Sequence, residues 1–102
     1  MTASFRAGSP ATKRRAAHPP RLLLVEDEEG VRHVVRRMLM LKGYTVLAAN
    51  DGQEALQLGL GHSGPIHLLL TDVAMPVMGG RELAECLTPV HPEMKVLFMS
   101  PK

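Results

Sequence analysis

Four apolar residues in a row, Leu22-Leu23-Leu24-Val25, run straight into four acids, Glu26-Asp27-Glu28-Glu29. A run this short and continuously apolar suits a strand buried on both faces of a parallel sheet. The acids must lie where the strand leaves the core, because an unpaired buried carboxylate costs far more than the strand gains. A second apolar stretch, Ile66 to Thr71, ends in the same way on Asp72, and a third, Lys95 to Met99, ends at Ser100.

Helical patterns separate these runs. Val31, Val34, Val35, Met38 and Leu39 recur at the spacing of one helix face, with Arg32, His33, Arg36 and Arg37 largely opposite. Glu28 and Glu29 suit the positive end of that helix dipole and Lys42 its negative end, and Gly43 is a natural stop. Tyr44 to Ala48 reads as a strand, and Asn50-Asp51-Gly52 as a turn that starts a short helix over 53–60. Gly61 to Pro65 breaks that helix; Gly79-Gly80 precedes another over 81–87, and Pro89 and Pro92 mark a loop. The order β-α-β-α-β-α-β predicts an α/β fold: a doubly wound parallel sheet with right-handed crossovers and helices on both faces. Ligands of such sheets bind beyond the carboxyl ends of the strands.

The 102 residues permit one small domain, with 45% hydrophobic and 22% charged residues. The net charge of +2 divides unevenly: residues 1–21 carry five Arg or Lys and no acid, leaving −3 for the rest. Residues 1–20 show no apolar periodicity and end in Pro19-Pro20, so they are expected to form a disordered basic tail ahead of a domain over 21–102. Lys13-Arg14-Arg15 is read as solvated; a nucleic-acid partner is not expected, because interleaved aromatics and a recognition helix are lacking. A single cysteine, Cys86, permits no disulfide within the chain, and no apolar run approaches the roughly 20 residues of a membrane span. The expectation is a cytoplasmic protein with no membrane contact.

Glu26, Asp27 and Asp72 converge if the first and third strands are neighbours. Three carboxylates sharing a small space repel, so either some stay protonated or a cation sits among them. Oxygen ligands with open positions suit Mg²⁺. Such a metal also suits a carboxylate that attacks an anionic phosphorylated donor, by neutralising their repulsion. Glu26 and Asp27 would hold it, Asp72 would both touch it and attack, and the Ala74 carbonyl could add an oxygen, since Met75-Pro76 keeps the loop extended.

Leu23-Leu24-Val25-Glu26-Asp27-Glu28, Thr71-Asp72-Val73-Ala74-Met75-Pro76-Val77-Met78-Gly79-Gly80 and Val96-Leu97-Phe98-Met99-Ser100 together resemble the response-regulator receiver family, from about Arg21 to Ser100. The wording is especially similar to receivers of hybrid sensor histidine kinases. The resemblance implies a flavodoxin-like receiver fold with strand order 2-1-3-4, and a phosphoacceptor module of two-component signalling rather than an enzyme. It implies Asp72 as phosphoacceptor, Glu26, Asp27 and the Ala74 carbonyl around Mg²⁺, and Ser100 as the switch hydroxyl. The implied partner is a sensor histidine kinase or a histidine phosphotransfer protein.

The family's fifth strand, its later helices and the lysine that contacts the phosphoryl group have no match here, and Lys102 is not given that role. The fourth strand is therefore expected to be an exposed apolar edge, prone to self-association, and Mg²⁺ binding is expected to survive better than phosphotransfer. The competing expectation is a truncated receiver fragment that acts, if at all, as an interaction module. His33, His62, His67 and His91 lack metal-ligand spacing and are read as surface or loop residues. Cys86 is read as core filler or half-buried. Gly79-Gly80 lacks the spacing and lysine of a phosphate loop.

Overall fold

The computed structural model describes residues 19–99. The elements are β1 (Arg21–Val25), α1 (Glu29–Leu41), β2 (Thr45–Ala49), α2 (Gly52–Gly61), β3 (Leu68–Asp72), α3 (Gly80–Leu87) and β4 (Lys95–Met99). All strand pairs are parallel, in the order β2-β1-β3-β4. The expected doubly wound sheet is therefore present. Two strand starts differ from the sequence reading: Tyr44 precedes β2, and Ile66 precedes β3 although it is buried. Apolar character marks what is buried, whereas the ladder marks what is paired.

Successive residues of a strand face opposite sides of the sheet. Leu23, Val25 and Leu69 lie in the core beneath α2 and α3, with Ala55, Leu83, Ala84 and Leu87 contributed by those helices. Leu22 and Leu24 are equally buried on the alternate side, where α1 crosses β1 and β2. Each fully buried Leu contributes on the order of 2 kcal/mol, so β1 anchors both layers.

The helix ends follow local chemistry. Asp51 caps α2, its carboxylate accepting from the Glu54 N–H at 2.8 Å, while Glu54 accepts from the Asn50 N–H at 2.8 Å. The arrangement resembles a capping box shifted by one residue, since Glu54 reaches the N–H before the cap, and it accounts for Asp51 without any role at the acid cluster. Gly43 ends α1 at φ 99°, a left-handed conformation that favours glycine.

Three expectations change. The α1 apolar stripe is not a buried face: no residue of α1 is buried, and Val34 and Met38 are 58% and 57% exposed. Only two strands underlie α1, and no second helix among the described residues covers that side. Cys86 is exposed, because the α3 stripe runs through Leu83, Ala84 and Leu87 and turns Cys86 outward. His91 lies in a loop, as expected, but is buried rather than at the surface, its Nε2 within 2.8 Å of the Gly59 carbonyl oxygen, tying the loop after α3 to α2. The edge strand β4 is as expected: none of its residues is buried, and Leu97 is 56% exposed. The Arg81 guanidinium lies over the Phe98 ring, 5.9 Å from its centroid. No helix among the described residues is long and apolar enough to cross a membrane.

Candidate functional site

Register alone brings the acids together. Val25 of β1 pairs with Thr71 of β3, so Glu26 and Asp72, one residue on, leave adjacent strands at the same edge. One carboxylate oxygen from each of Glu26, Asp27 and Asp72 lies within 4.8 Å of the others. Glu26 is buried, Asp72 half-buried and Asp27 exposed. At 4.8 Å, two unit charges repel by about 1 kcal/mol in bulk water and about 3.5 kcal/mol near a protein surface. The cluster is thus costly unless a proton or a cation relieves it.

Glu26 carries that cost most directly. Burial pushes its carboxyl above the ordinary carboxylate value, and the neighbouring Asp72 charge pushes further the same way. The Glu28 N–H opposes both, donating to Oε2 at 3.0 Å. The donor set fits a hard divalent cation, because three oxygen anions converge from two strand ends while Asp27 stays open to solvent.

The surrounding loops are fixed by contacts that sequence reasoning missed. Arg32 Nη1 donates to the main-chain oxygen of Glu26 at 2.9 Å, clamping the acidic turn. Its helical position is legible, but the reach of its side chain depends on how α1 enters. The Thr71 hydroxyl donates to the Asp72 main-chain oxygen at 3.1 Å. The Gly80 N–H donates to the Val73 carbonyl at 2.9 Å, and a Cβ at Gly80 would collide with the Asp72 carbonyl oxygen. Glycine is therefore required where α3 begins against the end of β3. The paired glycines seven and eight residues after Asp72 were the available signal.

Ala74 is exposed in the loop after β3. In the same loop Val77 adopts φ 71° and is 84% exposed. A β-branched residue at positive φ is a genuine backbone outlier. Ser100, the expected switch hydroxyl, and Lys102 lie outside the described residues, as does the Lys13-Arg14-Arg15 cluster. Of the histidines, His33 and His67 are exposed, and His67 Nδ1 accepts from the Arg21 N–H at 2.9 Å. Among the described residues Glu26, Asp27 and Asp72 form the one three-residue group spaced to hold a metal ion.

Residues 22–102 match the family described as the response regulator receiver domain. The sensor kinase CckA of Brucella abortus is 42% identical over 79 residues, covering 78% of this chain and 8% of the kinase. The response regulator receiver protein CpdR of the same organism is 36% identical over 80 residues, covering 78% of this chain and 65% of CpdR. The chain thus spans less than two thirds of either relative. Among solved structures, the response regulator TrrA of Thermotoga maritima, crystallised in complex with Mg²⁺-BeF, superposes with a TM-score of 0.70 at 30% identity, covering 79% of this chain and 69% of TrrA.

Proposed function

Because the chain belongs to the response-regulator receiver family, we propose that it accepts a phosphoryl group on Asp72 in a two-component phosphorelay. The observation that carries this reading is the convergence of Glu26, Asp27 and Asp72 within 4.8 Å at the carboxyl ends of β1 and β3. An Asp72 carboxylate oxygen attacks the phosphorus of a phosphohistidine. The new O–P bond forms as the P–N bond breaks, and the electron pair returns to the donor imidazole.

Mg²⁺ would be held by Glu26, Asp27, Asp72 and the Ala74 carbonyl, and when bound it offsets the charge between the acceptor and its anionic donor. The Mg²⁺-BeF complex of TrrA supports this assignment by analogy. Arg32 and Gly80 act as positioning residues: one holds the Glu26 main chain, and the other lets α3 start against Asp72. Ser100 is assigned the switch hydroxyl from its place after β4. The match to a sensor kinase supports a histidine kinase or histidine phosphotransfer protein as donor, in the cytoplasm. The family match beginning at residue 22 supports a receiver over 21–102 preceded by a basic tail over 1–20.

The test is incubation with a small acyl phosphate donor and Mg²⁺. Covalent label that requires Mg²⁺ and is lost in Asp72→Asn supports the proposal; label retained in Asp72→Asn rejects it.

A second reading, an interaction module without phosphotransfer, draws on β4. Among the described residues this strand pairs on one side only, and it leaves Leu97 and Phe98 exposed. Self-association through that edge would fall on Leu97→Lys substitution, measured by light scattering. Unchanged association would remove the edge from consideration.

A further inference from the structure

The other edge of the sheet is built differently. Among the described residues β2 has a neighbour on one side, β1. The Thr45 N–H bonds inward to the Pro20 carbonyl, and the Ala49 carbonyl accepts inward from the Glu26 N–H. Main-chain groups along a parallel strand alternate in direction, so Val46 and Ala48 turn their N–H and C=O outward. Both residues line a groove of about 370 Å³, which Leu58 of α2 and the Arg32, His33 and Arg36 side chains of α1 also border.

The groove therefore offers three features together: free main-chain donors and acceptors, an apolar floor, and a cationic wall. The charge is local. From Gly30 to Asn50 the sequence holds Arg32, Arg36, Arg37 and Lys42 and no Asp or Glu, whereas the chain from Leu22 onward is net −3. Arg32 is partly engaged with the Glu26 main chain, which leaves Arg36 as the guanidinium to meet a ligand.

We propose that this groove docks an extended, acidic segment of a partner protein, which adds to β2 as a further strand and sets its carboxylates against the α1 arginines. Main-chain pairing with Val46 and Ala48 supplies affinity, and alternation supplies specificity: one set of side chains packs on Leu47 and Leu58 on the α2 face, while acids in the alternate set meet Arg36 on the α1 face. A nucleic acid would answer the charge but not the outward peptide groups or the apolar floor.

The probe is a short, end-blocked, dye-labelled peptide of alternating Glu and Val, titrated into the full chain by fluorescence anisotropy. Binding should weaken as salt rises, since the arginine contacts lie at the surface. Arg36→Glu should weaken it about tenfold or more, as expected for reversing a charge at such a contact. Ala48→Pro removes one outward N–H and no ladder bond, a placement edge strands tolerate, and should also weaken binding about tenfold. Circular dichroism establishes that each variant folds. In the parent chain, amide exchange at Val46 and Ala48 should slow when the peptide is present.

Unchanged affinity in the folded variants, or unchanged exchange at Val46 and Ala48, would overturn the proposal. So would equal binding of an all-Glu peptide, which shares the charge without the apolar face. Tighter binding of duplex DNA, or of vesicles rich in phosphatidylglycerol, through the same arginines would replace the peptide with that ligand.

Discussion

Replacing Asp72 with Asn removes one of three carboxylates crowded at the ends of β1 and β3, at nearly constant shape. Its oxygens lie within 4.8 Å of those of Glu26 and Asp27, so the substitution removes two repulsive pairs. Each pair is worth about 1–3.5 kcal/mol between bulk-water and near-surface dielectric limits. Part of the cost of the crowded charge is already offset by the Glu28 N–H, which donates to the Glu26 carboxylate. A net stabilisation of about 1–3 kcal/mol is expected, which raises the melting temperature of a domain this size by about 5–15 °C.

The assay is thermal unfolding by circular dichroism, with EDTA and then with millimolar Mg²⁺. In EDTA, Asp72→Asn should melt above the parent. Added Mg²⁺ should raise the parent, because a ligand that binds only the folded state stabilises it by mass action. It should move the variant far less. A variant that melts below the parent in EDTA, or that gains as much from Mg²⁺, would refute the electrostatic account of the site.

Gly80→Ala should destabilise the fold by about 2 kcal/mol or more in denaturant titration, because the new Cβ meets the Asp72 carbonyl oxygen and the backbone must move. Val77→Gly should stabilise it by about 0.5–1 kcal/mol, the relief of a β-branched residue at φ 71° outweighing the entropy gained by the unfolded chain. For Glu26, the folded-state value is raised above its ordinary 4.5. Its contribution to metal-free stability is therefore fully present below pH 4.5 and is lost as pH rises through the raised value. The stability difference between the parent and Glu26→Gln in EDTA should move in favour of Gln over that rise. A difference that is flat with pH would contradict the burial argument.

The positions of all seven elements were legible because each announces itself by period: short apolar runs for strands, a spacing of three and four for α1, paired glycines before α3. The acid cluster was legible for a related reason. Apolar runs that stop on acids mark the strand ends, and parallel order places two of those ends side by side. What covers an amphipathic face is not written in its period. The Val34 and Met38 stripe looks the same whether or not a second helix lies on it, and here both side chains are largely exposed. Long-range contacts were hidden as well. Arg32 reaches Glu26, and His91 reaches Gly59, only once helices and loops are fixed in space. The boundary at Ile66 shifted because burial begins before the ladder does, and Tyr44, only half-buried, also precedes its strand.

The central claim is that Asp72 is the acceptor. Its most direct test locates the phosphoryl group after reaction with a small acyl phosphate donor and Mg²⁺, by peptide mapping with mass spectrometry before and after hydroxylamine. The account predicts one modified peptide, spanning Leu68–Asp72, whose phosphoryl group sits on Asp72, is released by hydroxylamine and does not form without Mg²⁺. A phosphoryl group on any other residue, or none under conditions where Mg²⁺ binding is demonstrated, would contradict it.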